Sequence, residues 1–261
     1  MLIGRTLREW SRGHPAQAAL AETALLFAPA LPAYVWLWPN VSGLSQYVAQ
    51  ALVYGYLLAG AVLIGRRRWS WDQLGVNERG LGLSLVAGAL LLTGRTLVIL
   101  AVDWPLFQRA YSALEWAGLA AFYLGAVGVT EELLFRGLVY RALEDWRGLR
   151  AAIWGSSLAF GLFHLPSQGW LGLLGTGLIG LVFAVIRWRA GGIAGLIIVH
   201  GLIDLGAVVL LPSLELSELG QPAITSRGLL LAGYGLLLAP PLALWKFWPA
   251  LAGRGRPGGA A

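Results

Sequence analysis

Two adjacent carboxylates and an arginine, Glu131, Glu132 and Arg136, stand inside an otherwise apolar stretch from about Trp116 to Tyr140. Each such group costs roughly 2.5 to 3.5 kcal/mol at the centre of a membrane-spanning helix, and ionisable groups at that depth mark functional sites. The spacing divides their work. On a helix Glu132 and Arg136 stand at i and i+4, share a face and can pair. Glu131 points about 100° away from Glu132 and lacks that partner. One carboxylate is neutralised locally while the other faces something else.

Two histidines lie in later apolar runs. His164 closes Phe160-Gly161-Leu162-Phe163-His164, and His200 opens His200-Gly201-Leu202-Ile203-Asp204. Phe160 and His164 share a helical face, as do His200 and Asp204. The third histidine, His14, falls in a basic flank and reads as solvated. Counting back from the nearest arginine boundary, Glu131 lies about 15 Å deep, His164 about 21 Å and His200 about 16 Å, at 1.5 Å per helical residue. Three helices thus deliver a carboxylate and two imidazoles to a similar level. Each polar group satisfied separately, by a backbone carbonyl or bundle water, is the plainer reading, and the number of such groups at one level weighs against it.

The elements that must carry these residues are membrane helices. Of 261 residues, 57% are hydrophobic and only 12% charged, and the mean hydropathy is +0.69. That is too apolar for a soluble domain and is arranged in long runs. Without cysteine there are no disulfides or thiolate metal sites. The net charge of +6 does not point to nucleic acid, since no basic stripe with stacking aromatics occurs. A basic flank (1–15) precedes one helical membrane domain (16–250), and a flexible tail (251–261) follows. The expected fold is an all-α polytopic bundle of eight spans: 16–38, 45–65, 80–102, 116–141, 151–165, 169–188, 191–211 and 228–248. Segments 66–79 and 142–150 are polar linkers, and 103–115 is a loop with Pro105. A further loop carries Glu215 and Glu218. A cleaved leader in the first run is opposed by its length and by Glu22. Arg95 stands within the third span and needs a partner or a route to an interface. With the N-terminus inside, Arg66, Arg67, Arg68, Arg79, Arg141, Arg147, Arg150, Arg187 and Arg189 are cytoplasmic, while the outer loops hold only Arg109 and Arg227. That asymmetry follows the positive-inside rule. It implies an integral membrane protein with both termini cytoplasmic, and the use of Arg over Lys with Ala, Gly and Leu richness points to a bacterial inner or plasma membrane.

Glu131-Glu132-x-x-x-Arg136, then Phe160-x-x-x-His164, then His200-x-x-x-Asp204, resemble the three ordered motifs of the CPBP family, the CAAX proteases and bacteriocin-processing intramembrane proteases. The resemblance covers about residues 115–211. It implies an intramembrane endopeptidase that hydrolyses a peptide bond of a membrane-associated protein or peptide within the bilayer. By resemblance Glu131 activates water with His164 as partner, and His200 and Asp204 stabilise the oxyanion. Glu132, Arg136 and Phe160 support the site. The last motif position is often Asn in the family and is Asp here; an ionised Asp cannot donate to an oxyanion. Asp204 is then either protonated or orients His200. No cofactor is favoured. Zn2+ is the alternative, held by Glu131, His164 and His200, because a Glu with two His leaves the open position a catalytic zinc requires. The absence of a His-Glu-x-x-His helix favours the metal-free form. Two other classes compete: a non-catalytic immunity or scaffold protein, and a proton-coupled transporter. A scaffold has no need of two buried histidines, and no paired halves of a transporter are visible.

Overall fold

The computed structural model describes residues 9–40, 44–101, 112–210 and 226–252. The expected basic flank, the loops with Pro105 and with Glu215 and Glu218, and the C-terminal tail lie wholly or partly outside these residues. The described chain is helical, without a strand. Helix α1 covers Pro15–Asn40, α2 Leu44–Arg66, α3 Leu81–Leu100, α4 Ala113–Arg147, α5 Leu149–Ala190, α6 Ala194–Leu210 and α7 Arg227–Ala252.

Helix α5 contains two of the expected spans folded on one another. At Gly169 the backbone takes φ 63° and ψ −163°, a combination open only to glycine. Beyond it the chain runs back: a Cβ at Gly161 would lie 2.7 Å from Leu173 O, and one at Gly180 would lie 3.3 Å from Ser157 Cα. The arms 149–168 and 170–190 are therefore antiparallel and in close contact, which the glycine-rich second arm permits. Among the described residues, each expected span falls mainly in helix. Four stretches, Val48–Arg66, Leu81–Val98, Ala113–Arg147 and Gly172–Ala190, are long and apolar enough to cross a membrane by length and composition.

Helix α4 is the axis of the bundle; α1, α2, α5 and α6 all pack on it, while α7 packs chiefly on α3. It begins with a capping box: Ser112 accepts from Glu115 N, and Glu115 Oε2 accepts from Ser112 N at 2.9 Å. The helix thus starts before the expected Trp116. Two stretches of α4, Ala121–Gly128 and Glu132–Val139, are π-helical, with i→i+5 hydrogen bonds. Such turns concentrate at functional sites. They hold more residues per turn than an α-helix, so the 100° offset expected between neighbours is reduced.

The polarity of the bundle is inverted relative to a soluble domain. Leu25, Leu52, Leu63, Val86, Leu158, Trp170, Leu174 and Leu231 face outward, while Glu131, Glu132 and Arg136 are at most 1% exposed. Helices with apolar outer faces and their polar groups turned inward are what a bilayer requires, and the protein is an integral membrane protein.

One end of the bundle is stitched by polar contacts. Arg68 forms a bidentate pair with Glu22 at 2.6 and 3.1 Å. Trp69 Nε1 donates to Asp145 at 2.9 Å, and Ile193 N donates to Gly75 O at 2.8 Å. Arg187 donates to the carbonyls of Arg136 and Gln73 at 3.3 and 3.2 Å. The ends of α2, α4 and the second arm of α5 and the start of α6 therefore share one face. Glu22, whose place in the first run argued against a leader, is the acidic half of that stitching.

Candidate active site

Four helices bring the site together. Helix α4 supplies Glu131, Glu132 and Arg136, the first arm of α5 supplies Phe160 and His164, and α6 supplies His200 and Asp204. Helix α2 adds Tyr54. The approach of α4 to α6 depends on two glycines beside the acidic pair. A Cβ at Gly128 would lie 2.7 Å from Ile197 O, and one at Gly201 would lie 2.7 Å from Leu124 Cα and 2.8 Å from Tyr123 O. Only hydrogen fits at this crossing, and it sets His200 against the acidic pair.

The expected pairing within α4 is present despite the π turns. Arg136 Nη1 donates to Glu132 Oε1 at 2.8 Å, with both side chains fully buried. The guanidinium carbon lies 4.1 Å from the Phe160 ring centre and 5.1 Å from that of Phe183, so two aromatic faces also hold the cation. Phe160 serves the site twice, since its carbonyl lies 2.9 Å from His164 Nδ1.

Glu132 has a second contact that the sequence did not foretell. Its Oε1 accepts from His200 Nδ1 at 2.7 Å. Asp204 was expected either to be protonated or to orient His200. Asp204 is near, but its Oδ2 lies 3.4 Å from Nε2, the other nitrogen. The orienting contact on Nδ1 belongs to Glu132. Spacing along α6 placed Asp204 beside the ring, but only the packing of α4 on α6 decides which nitrogen each carboxylate meets.

Glu131 is where the groups converge. Its Oε2 lies 3.5 Å from His200 Nε2 and 3.8 Å from His164 Nε2, and accepts no hydrogen bond from the protein. A carbonyl and a carboxylate can only accept, so both imidazoles carry a proton on Nδ1 and turn Nε2 toward Glu131. The other oxygen, Oε1, accepts from the Tyr54 hydroxyl at 2.6 Å. Tyr54 was missed in the sequence: a lone tyrosine in an apolar run has no spacing signal. Arg95 finds its partner on α6, where Nη1 donates to Ile203 O at 2.7 Å, one residue before Asp204.

A family model described as type II CAAX prenyl endopeptidase, Rce1-like, matches residues 113–206. Residues 113–206 are similar to that family. The Rce1-like segment runs from the start of α4 into α6 and contains every charged and imidazole group of the site. Tyr54 and Arg95 lie outside it. Comparison with curated proteins and with solved structures found no match.

The residues that would hold Zn2+ are Glu131, His164 and His200. Among the described residues no three His, Asp or Glu side chains are arranged to hold a metal ion, and Glu131, His164 and His200 form no such cluster. A buried carboxylate oxygen beside two imidazole nitrogens is arranged to take a proton from a small polar reactant and pass it on.

Proposed function

We propose that the protein is an intramembrane endopeptidase in which Glu131 is the general base that activates water against a peptide bond of a membrane-associated protein or peptide. The single observation that carries this reading is the placement of Glu131 Oε2, buried, without a hydrogen bond from the protein and within 3.8 Å of two Nε2 atoms. Water bound between these atoms donates one proton to Oε2. Its oxygen adds to the carbonyl carbon, and Glu131 holds the proton. His164 Nε2, the next acceptor, takes that proton from Glu131 and delivers it to the amide nitrogen as the C–N bond breaks, which frees the amine and leaves the carboxyl. His200 is flanked by Glu132 on one nitrogen and by Glu131 and Asp204 on the other. In its doubly protonated form it turns a donor toward the developing oxyanion. Glu132 fixes the His200 ring, and Arg136 balances Glu132.

The substrate class is read from the surroundings. An apolar groove of about 330 Å³ lies between α1, α4 and the first arm of α5, lined by Leu20, Phe27, Phe135, Leu162 and Phe163. Phe163 is adjacent to His164, so an apolar chain seated there lies beside the imidazole. The bundle crosses the membrane eight times, with the stitched, arginine-bearing face toward the cytoplasm.

The test uses the full-length protein in lipid nanodiscs with two peptide probes, one farnesylated at a CAAX terminus and one unmodified and apolar. Cleavage of either probe by the wild type, lost in Glu131→Gln and resistant to 1,10-phenanthroline, is the expected result. Full cleavage by Glu131→Gln overturns the assignment of the base, and loss of wild-type cleavage with the chelator overturns the metal-free route.

A further inference from the structure

The two oxygens of Glu131 have different surroundings, and one residue outside the Rce1-like segment makes them so. Oε1 is tied to the Tyr54 phenol at 2.6 Å, the length of a charge-assisted O–H···O bond. Oε2 faces the two imidazoles and accepts nothing from the protein. The terminal torsion of a glutamate is broad and roughly two-fold. Nothing within the side chain itself decides which oxygen points where.

Tyr54 is suited to decide it. It is buried, and its ring meets Phe122 edge-on at 5.9 Å. Helix α2 packs along α4 through Leu57, Ala61 and Ile64, which share one core with Leu133, Leu134 and Leu138. The phenol therefore approaches Glu131 from a fixed direction, from a helix that supplies none of the charged or imidazole groups of the site. Resting on the endopeptidase reading above, we propose that Tyr54 is a positioning residue that ties Oε1 of Glu131 and thereby makes Oε2 the basic oxygen, aimed at His164 and His200.

Tyr54→Phe removes the hydroxyl and keeps the ring. With the peptide probes above, kcat is expected to fall about 10- to 100-fold, a part of what a positioned base contributes, while KM stays unchanged. A second readout needs no substrate. In protein labelled with 15N-histidine, Tyr54→Phe is expected to move the imidazole signals of His164 and His200, because the oxygen facing them is no longer held, and to leave His14 unmoved. Unmoved signals for His164 and His200 overturn the proposal. So does a rise in KM with kcat intact, which would make Tyr54 a substrate contact. If Tyr54→Phe does not fold, 3-fluorotyrosine at position 54 keeps both ring and hydroxyl while changing the acidity of the phenol, and the same shifts are read. Failure of the wild type to cleave either probe counts against the endopeptidase reading alone, and the imidazole signals still decide the role of Tyr54.

Discussion

At the level of single residues, the two glutamates of the acidic pair should fail in different ways. Glu131→Gln keeps the volume and an acceptor for Tyr54 but removes the basic oxygen; cleavage is expected to vanish while thermal unfolding in detergent is little changed. Glu132→Ala strips the partner from a fully buried Arg136 and from His200 Nδ1. Breaking a buried pair in this way costs about 3 to 5 kcal/mol, so this variant should lose both melting temperature and activity. Asp204 makes a third case. Because Glu132 already holds Nδ1, Asp204→Asn should leave the ring in place and offer an N–H near the same point. It is expected to stay within a few-fold of wild type in kcat/KM, whereas Asp204→Ala, which removes the group beside His200 Nε2, falls further in the same assay. Much of this was legible in the sequence. The i, i+4 spacings placed Glu132 on Arg136 and His200 beside Asp204, and the counts along the helices brought Glu131 and both histidines together. The contact of Glu132 with His200 and that of Tyr54 with Glu131 were not legible. They join helices 68 and 77 residues apart, and no spacing within one element encodes them.

Helices, rather than residues, decide whether these groups meet. Gly169 turns α5 back on itself with a backbone that an alanine adopts only under strain. Gly169→Ala is expected to cost on the order of 1 to 3 kcal/mol, read as a lower melting temperature, with His164 displaced and activity reduced in proportion. Gly201→Val is more severe, since its branched side chain meets the backbone of Leu124 and Tyr123; folded protein should not be recovered. The break in α5 falls between the expected spans 151–165 and 169–188, beside Pro166. Ser112 and Glu115 carried the spacing of a capping box, although the sequence alone left them in a loop. The π turns of α4 had no such announcement. Their hydrogen-bond pattern depends on which neighbours press on the helix, and composition does not report that.

For the whole molecule, the stitched face fixes which helix ends lie together. Reporter fusions after Ser42, Ala110, Ser167 and Glu218 are expected on one side of the membrane, and fusions after Asp72, Arg147 and Arg189 on the other. Two fusions from different sets reporting the same side would undo the eight-crossing topology. A fragment limited to 113–206 contains all the charged and imidazole groups of the site but lacks Tyr54 and Arg95. It should be inactive even if it inserts. The overall architecture was legible because lipid inverts the usual polarity: long apolar runs closed by arginines mark helices and their ends with little ambiguity.

The placement of the acidic pair also has a consequence for how the protein is made. Helices leave the ribosome from the N-terminus onward, so α4 enters the bilayer after α2 and before α6. Glu132 carries its counter-ion one turn away in the same helix and does not wait for a later one. Glu131 finds the phenol of Tyr54 on a helix already made. Only the imidazoles arrive afterwards, with residues 164 and 200. Each carboxylate thus has one partner before the imidazoles are synthesised, and the cluster closes only when α6 docks.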